Sequence, residues 1–199
     1  MNKLKSIILA VSALLIGVSC SGQTTKNQTN MGKSIVIFFS HAGDNYAVGN
    51  IKVGNTKIVA DYISEFTGAT QFEIVPDKNY DMPYSELIKV AKDETNKGEL
   101  PSYKGKIDNI DQYDVIFIGG PIWWGTYPQV MFTFFKDYDL NGKTIVPFTT
   151  HEGSGLGSVV SDLKKAYPRA KFAQSFSIYG HEVRTGKEKV EKWVKGLQY

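Results

Sequence analysis

Three short stretches of the 199-residue chain carry side chains suited to holding a phosphorylated, planar molecule. The first joins Ser40 and His41 to Gly54-Asn55-Thr56. Hydroxyl and amide groups donate hydrogen bonds there, and a glycine lets backbone approach a ligand closely. If Asn55-Thr56 opens a helix, the N–H groups of its first turn lack partners inside the helix and can take an anion. Gly43 is an alternative to Gly54 for this turn. The second stretch is Gly119-Gly120-Pro121-Ile122-Trp123-Trp124-Gly125-Thr126-Tyr127-Pro128. Planar rings stack on such aromatic side chains, at about 1 kcal/mol beyond area burial. Adjacent loop residues do not easily both face a core, so at least one of Trp123 and Trp124 is available to a ligand. Gly125 has the backbone freedom to turn a peptide carbonyl toward it. The third stretch, Thr149-Thr150-His151-Glu152-Gly153-Ser154-Gly155, offers open backbone amides and hydroxyls to the polar edge of a ring.

Several chemistries are excluded by what these stretches lack. The first has neither the Gly-x-Gly-x-x-Gly of a dinucleotide turn nor the Gly-Lys-Ser/Thr of a P-loop. Ser154 is no hydrolase nucleophile, because Glu152 and Leu156 stand where Gly-x-Ser-x-Gly needs glycine. His41, His151 and His181 are too scattered for a metal site, and His41 and His181 read as solvated loop residues. A phosphoryl-receiver domain would need an aspartate where Ser40 and His41 stand.

The elements that position these stretches alternate strand and helix. Apolar runs predict strands at 35–39, 71–75, 114–118, 144–148 and 172–178. Helical spacing predicts helices over 56–66, after Asp81 with Pro83 in its first turn, over 128–138, and around Leu156, Val159, Val160 and Leu163. A last helix carries Val190, Trp193, Val194 and Leu197, and Thr185-x-x-Glu188 reads as its capping box. The polar segment 96–111 reads as loop. Five strands alternating with five helices imply a parallel sheet covered on both faces, with ligands beyond the carboxyl ends of the strands. The three stretches follow the first, third and fourth strands, and so meet at one edge.

In that order and placement, Ser40…Gly54-Asn55-Thr56, Pro121-Ile122-Trp123-Trp124-Gly125 and Thr149 to Gly155 resemble the flavodoxin family over residues 33–197. The resemblance implies an α/β flavodoxin-like three-layer sandwich, a five-stranded parallel sheet in order 2-1-3-4-5, and bound FMN. It also implies that Ser40, Asn55 and Thr56 hold the phosphate. The region of Trp124 and Tyr127 would stack on the isoalloxazine, and Thr149 to Gly155 would line its edge. The chain departs from the family in two ways. About ten extra residues separate Ser40 from Gly54, and the charge is near neutral rather than acidic.

Ahead of this domain, Lys3 and Lys5 lead an apolar run from Ile7 to Val18, the pattern of an export signal over residues 1–19. Leu14 to Cys20 resembles a bacterial lipoprotein signal, with Gly17 where a larger aliphatic residue is usual. Cys20, the only cysteine, is then the lipidation site and a membrane anchor. Residues 20–32 are polar and read as a flexible tether to a domain at 33–199. The chain has 23 basic and 20 acidic residues; losing Lys3 and Lys5 leaves 21 against 20, which gives no electrostatic case for nucleic acid.

The expectation is an exported, lipid-anchored FMN protein facing the periplasm or cell exterior, carrying electrons between a reductase and an acceptor protein. An FMN-dependent NAD(P)H:quinone-type reductase with a small quinone-like substrate is the alternative. A non-redox binding module on the same fold is the third reading, since fold alone does not fix function.

Overall fold

A computed structural model describes residues 33–198. The export signal, the tether and Cys20 lie outside the described residues. The elements in chain order are β1 (Ser34–Phe38), β2 (Gly43–Asn45), β3 (Gly49–Ile51), α1 (Asn55–Thr67), β4 (Thr70–Glu73), β5 (Val75–Pro76), α2 (Tyr84–Lys97), β6 (Tyr103–Lys104), β7 (Val115–Pro121), α3 (Gln129–Asp137), β8 (Thr144–His151), α4 (Val159–Ala166), β9 (Lys171–Phe172), β10 (Phe176–Tyr179) and α5 (Lys187–Gly196).

The main sheet runs β4-β1-β7-β8-β10, with β9 also paired to β8, and every pair in it is parallel. Counting β9 and β10 as one interrupted strand, this is the order 2-1-3-4-5. The interruption has a simple cause. Ile145 faces Phe172 and Phe148 faces Phe176, so four steps on one strand match three on its neighbour. One surplus residue bulges out.

Alternation along the strands divides the core between the two faces. Ile35, Ile37, Ile116, Ile118 and Ile145 pack with Leu87 of α2, Met131 and Phe134 of α3 and Leu163 of α4. Val36, Phe38, Phe117, Val146 and Phe148 pack with Val59 and Ile63 of α1 and Val190 and Trp193 of α5. Because both faces are covered, β1 is buried at every position. That is why it reads as an unbroken apolar run rather than an alternating one. At Gly119 a side chain is barred by packing. An added Cβ would lie 2.0 Å from the Phe148 ring.

Four local expectations need correction. Strand two ends at Glu73, and Val75-Pro76 turns away to pair antiparallel with Tyr103-Lys104. The predicted loop 96–111 therefore contains a short strand, and its start belongs to α2. Leu156 precedes α4 rather than lying in it. The capping box at α5 does not form. The Thr185 hydroxyl donates to the Glu182 carbonyl in a preceding 3₁₀ segment, and Gly186 occupies the cap position.

Candidate functional site

The extra residues between Ser40 and Gly54 fold into an antiparallel hairpin, β2-β3, with Asp44 opposite Asn50. The hairpin leaves and returns at one point, so Ser40 and Gly54 still meet. A Cβ on Gly54 would lie 2.2 Å from Ser40 Oγ and 2.6 Å from the His41 carbonyl oxygen. This close approach needs glycine, and it makes Gly54 the glycine packed against Ser40. Gly43 instead begins the hairpin in a left-handed conformation, φ 89°.

Gly54 leads directly into α1. The amide of Lys57 donates to Ser40 Oγ at 3.0 Å, and that of Ile58 to the Gly54 carbonyl. No described residue accepts from the amides of Asn55 and Thr56. Beside them lies His41, only 8% exposed, whose Nε2 is buried without a hydrogen-bond partner among the described residues. Burial lowers its pKa, offset in part by the Asp44 backbone and the carboxylates of Asp81 and Asp44, so the ring is neutral at pH 7. The expectation that His41 is solvated is thus corrected. A buried polar atom of this kind ordinarily finds a partner; the His41 ring lines the cleft, but Nε2 itself is closed off from it.

The cleft holds about 240 Å³ and runs along the carboxyl ends of the strands. Among the sequence-predicted residues, His41, Asn55, Thr56, Pro121, Ile122, Trp123, Thr150, Glu152 and Ser154 line it. Thr56 and Thr150 are tied by their hydroxyls at 2.8 Å, joining the first loop to the third. No lysine or arginine lines the cleft, so an anion there meets neutral donors and the positive end of α1.

Other predicted residues stand behind the wall. Ser40 and Gly54 shape the turn. Thr149 is fully buried and donates to the Gly155 carbonyl, fastening the third loop. Gly153 donates its amide to His151 Nδ1. Two expectations fail outright. Tyr127 is 1% exposed and its hydroxyl lies 2.7 Å and 2.9 Å from the carbonyl oxygens of Ile118 and Phe148, so it braces the sheet and cannot stack on a ligand. Trp124 is 51% exposed and points away from the cleft, its indole N–H donating to the Ile88 carbonyl at 3.0 Å. Trp123 is the indole in the cleft, set edge-on against Phe39, His41 and Tyr80.

Trp124-Gly125 form the tip of a two-residue turn closed by Trp123 and Thr126, with φ of 53° and 88°. Positive φ at both central positions is the type I′ pattern. The Gly125 carbonyl accepts from the Ser158 amide at 2.8 Å, so it is held against the start of α4 rather than free to turn into the cleft. This corrects the expectation for Gly125.

The fifth strand also contributes, which the sequence reading missed. Gly180 lines the cleft, and a Cβ there would strike Asn55 Nδ2 at 2.4 Å and Glu152 Oε1 at 2.9 Å. The next residue, His181, grips Glu152 twice. Its amide donates to Oε1 at 2.9 Å and its Nδ1 lies 2.7 Å from Oε2. Arg184 donates to Asn55 Oδ1 at 3.2 Å. The available signal was a glycine at a strand end followed by polar residues. Asn45, Tyr46 and Val48 of the hairpin, Tyr84 and Leu87 of α2 and His151 at the end of β8 complete the wall.

Taken together the donor set fits FMN. Open helix amides and hydroxyls suit the phosphate end. Pro121, Ile122 and Trp123 suit an aromatic ring, and Thr150, Glu152 and Ser154 its polar edge.

The comparisons with known proteins agree with this fold. A protein of Bacteroides uniformis with a flavoprotein designation is 28% identical, with a TM-score of 0.67, covering 83% of this chain and 99% of that one. A similarly designated protein of Bacteroides eggerthii is 29% identical, TM-score 0.58, covering 79% and 97%. A flavoprotein of Lactobacillus acidophilus in complex with FMN shares the fold at 21% identity, TM-score 0.57, covering 81% and 98%. No curated protein matches. The profile described as flavodoxin matches residues 33–197, and the chain belongs to the flavodoxin family.

Proposed function

We propose that this flavodoxin binds FMN in the cleft and serves as an electron carrier, tethered by lipid at Cys20 to the outer side of a membrane. The observation that carries the cofactor assignment is the pair of open amides of Asn55 and Thr56 at the start of α1, in a cleft that His41, Trp123 and Thr150 also line. Bound FMN supplies reversible electron uptake; the protein sets how readily. The chain's own part is to hold the phosphate with neutral donors, to wall the ring with Pro121, Ile122 and Trp123, and to limit water around it. Glu152 puts a carboxylate, 15% exposed, into the same cleft, where it opposes added negative charge.

Stopped-flow mixing of the FMN-loaded protein with NADH and with NADPH tests the carrier reading. A carrier bleaches slowly without a reductase; rapid direct bleaching by either nucleotide replaces it with an NAD(P)H-dependent reductase. Mass spectrometry of the membrane fraction tests the tether, which an unmodified Cys20 there contradicts. One observation favours the second reading enough to pursue it: an apolar pocket shares a wall with the cleft.

A further inference from the structure

That pocket lies between α2 and the turn after β7. It is lined by Tyr84, Leu87, Ile88, Ala91, Ile122, Trp123 and Trp124 and holds about 270 Å³. Tyr84, Leu87, Ile122 and Trp123 belong to both spaces, so only side chains separate it from the cofactor cleft.

Its most unusual part is Trp124. A bulky residue at φ 53° is strained, and such strain persists where surrounding structure enforces it, often at ligand sites. The enforcement is visible. The indole N–H reaches across to the Ile88 carbonyl of α2, so the ring bridges turn and helix. The Lys92 ammonium lies 4.9 Å from the ring centroid. Lys92 has no carboxylate partner among the described residues, so its charge is left to the indole. The result is an apolar slot with an anchored, half-exposed aromatic face and a cation at its rim.

We infer that this slot binds a small planar aromatic electron acceptor of the quinone class, its ring between Trp124 and the apolar face of α2. The inference rests on the proposed FMN site for its purpose, but not for its geometry. The indole face is electron-rich and favours an electron-poor ring. A cation at the rim favours the carbonyl or anionic edge of that ring over a plain hydrocarbon. The volume falls just below the roughly 300–1,000 Å³ of drug-sized ligand sites, which limits the occupant to one or two fused rings. Adjacency to the cleft would bring such a ring within a side chain's width of the cofactor, as direct electron delivery to a small molecule requires. A protein acceptor needs no such slot.

The experiment uses the FMN-loaded protein, with 2-methyl-1,4-naphthoquinone and 1,4-naphthoquinone-2-sulfonate as probes. Tryptophan fluorescence quenching and calorimetry are read at constant FMN saturation. Saturable binding of both probes is expected at one per chain. Ala91→Phe, which fills the slot from α2, should weaken both by at least tenfold with FMN affinity within twofold of the parent. Lys92→Gln, an exposed change that spares the fold, should weaken the sulfonate three- to tenfold and the neutral probe much less. No saturable binding, or binding indifferent to both variants, overturns the proposal. So does displacement of FMN by the probe, which would make the slot part of the cofactor site. If the probe binds with these dependences while the protein refuses FMN, the slot stands and the cofactor reading falls.

Discussion

His41 shows how much one side chain determines here. If cofactor binding uncovers Nε2, a hydrogen bond from it to a phosphate oxygen would contribute about 1.5–3 kcal/mol. His41→Ala should therefore weaken FMN binding by roughly ten- to a hundredfold, read by calorimetry; unchanged affinity would remove His41 from the site. The same residue sets a pH dependence in the cofactor-free protein. Its pKa is lowered in the folded state, chiefly by burial. Above its ordinary value near 6.5 both states are neutral and nothing is lost. As pH falls below that value the unfolded chain takes up a proton that the folded chain refuses, so stability declines until the folded pKa is passed. His151, lowered for the same reason, adds to the trend. Melting of the cofactor-free protein between pH 7 and pH 5 should drop less in His41→Gln than in the parent. A second residue-scale test is Gly54→Ala. Its methyl has no room beside Ser40 Oγ and the His41 carbonyl. Overpacking of this kind costs about 1–3 kcal/mol, and the shifted turn should also lose FMN affinity.

At the scale of elements, the hairpin β2-β3 is the feature that distinguishes this chain. It is tied to α2, because Asp44 Oδ2 accepts the amide of Tyr84 at 2.9 Å, while Pro83 at the cap position offers no side-chain acceptor. A residue forty positions away thus caps the helix. Asp44→Ala should cost about 1 kcal/mol, the usual loss on removing a cap, and should speed FMN release by freeing the hairpin. Denaturant titration and stopped-flow dissociation check the two effects separately. Stability lost with an unchanged release rate would show that the hairpin does not cover the cofactor.

The elements were largely legible from the chain, for definite reasons. Strands buried on both faces read as apolar runs, as at 35–39, and helices such as α1 carry a clean apolar stripe at Val59, Ala60 and Ile63. What stayed hidden depends on turn geometry and long-range contact. The cleft-facing indole is Trp123 rather than Trp124 because Trp124 sits at the tip of the type I′ turn that reverses the chain between Trp123 and Thr126. Tyr127 is interior because Gly120 leaves space for its ring, with an added Cβ only 2.8 Å away. The role of Glu152 depends on His181, 29 residues later, and the hairpin has too little apolar pattern to announce itself.

For the whole molecule, the sheet brings residues from six segments to one edge, and the same topology places the Trp124 slot beside them. Among the described residues no helix is long and apolar enough to cross a membrane. The central claim is that the cleft binds FMN through neutral donors at the start of α1. The most direct measurement titrates cofactor-free protein with FMN and follows flavin fluorescence. The account predicts saturation at one FMN per chain, strong quenching by the Trp123 indole, and a large loss of affinity in both His41→Ala and Gly54→Ala. Flavin emission that persists at every protein concentration, or binding that neither substitution disturbs, would contradict it.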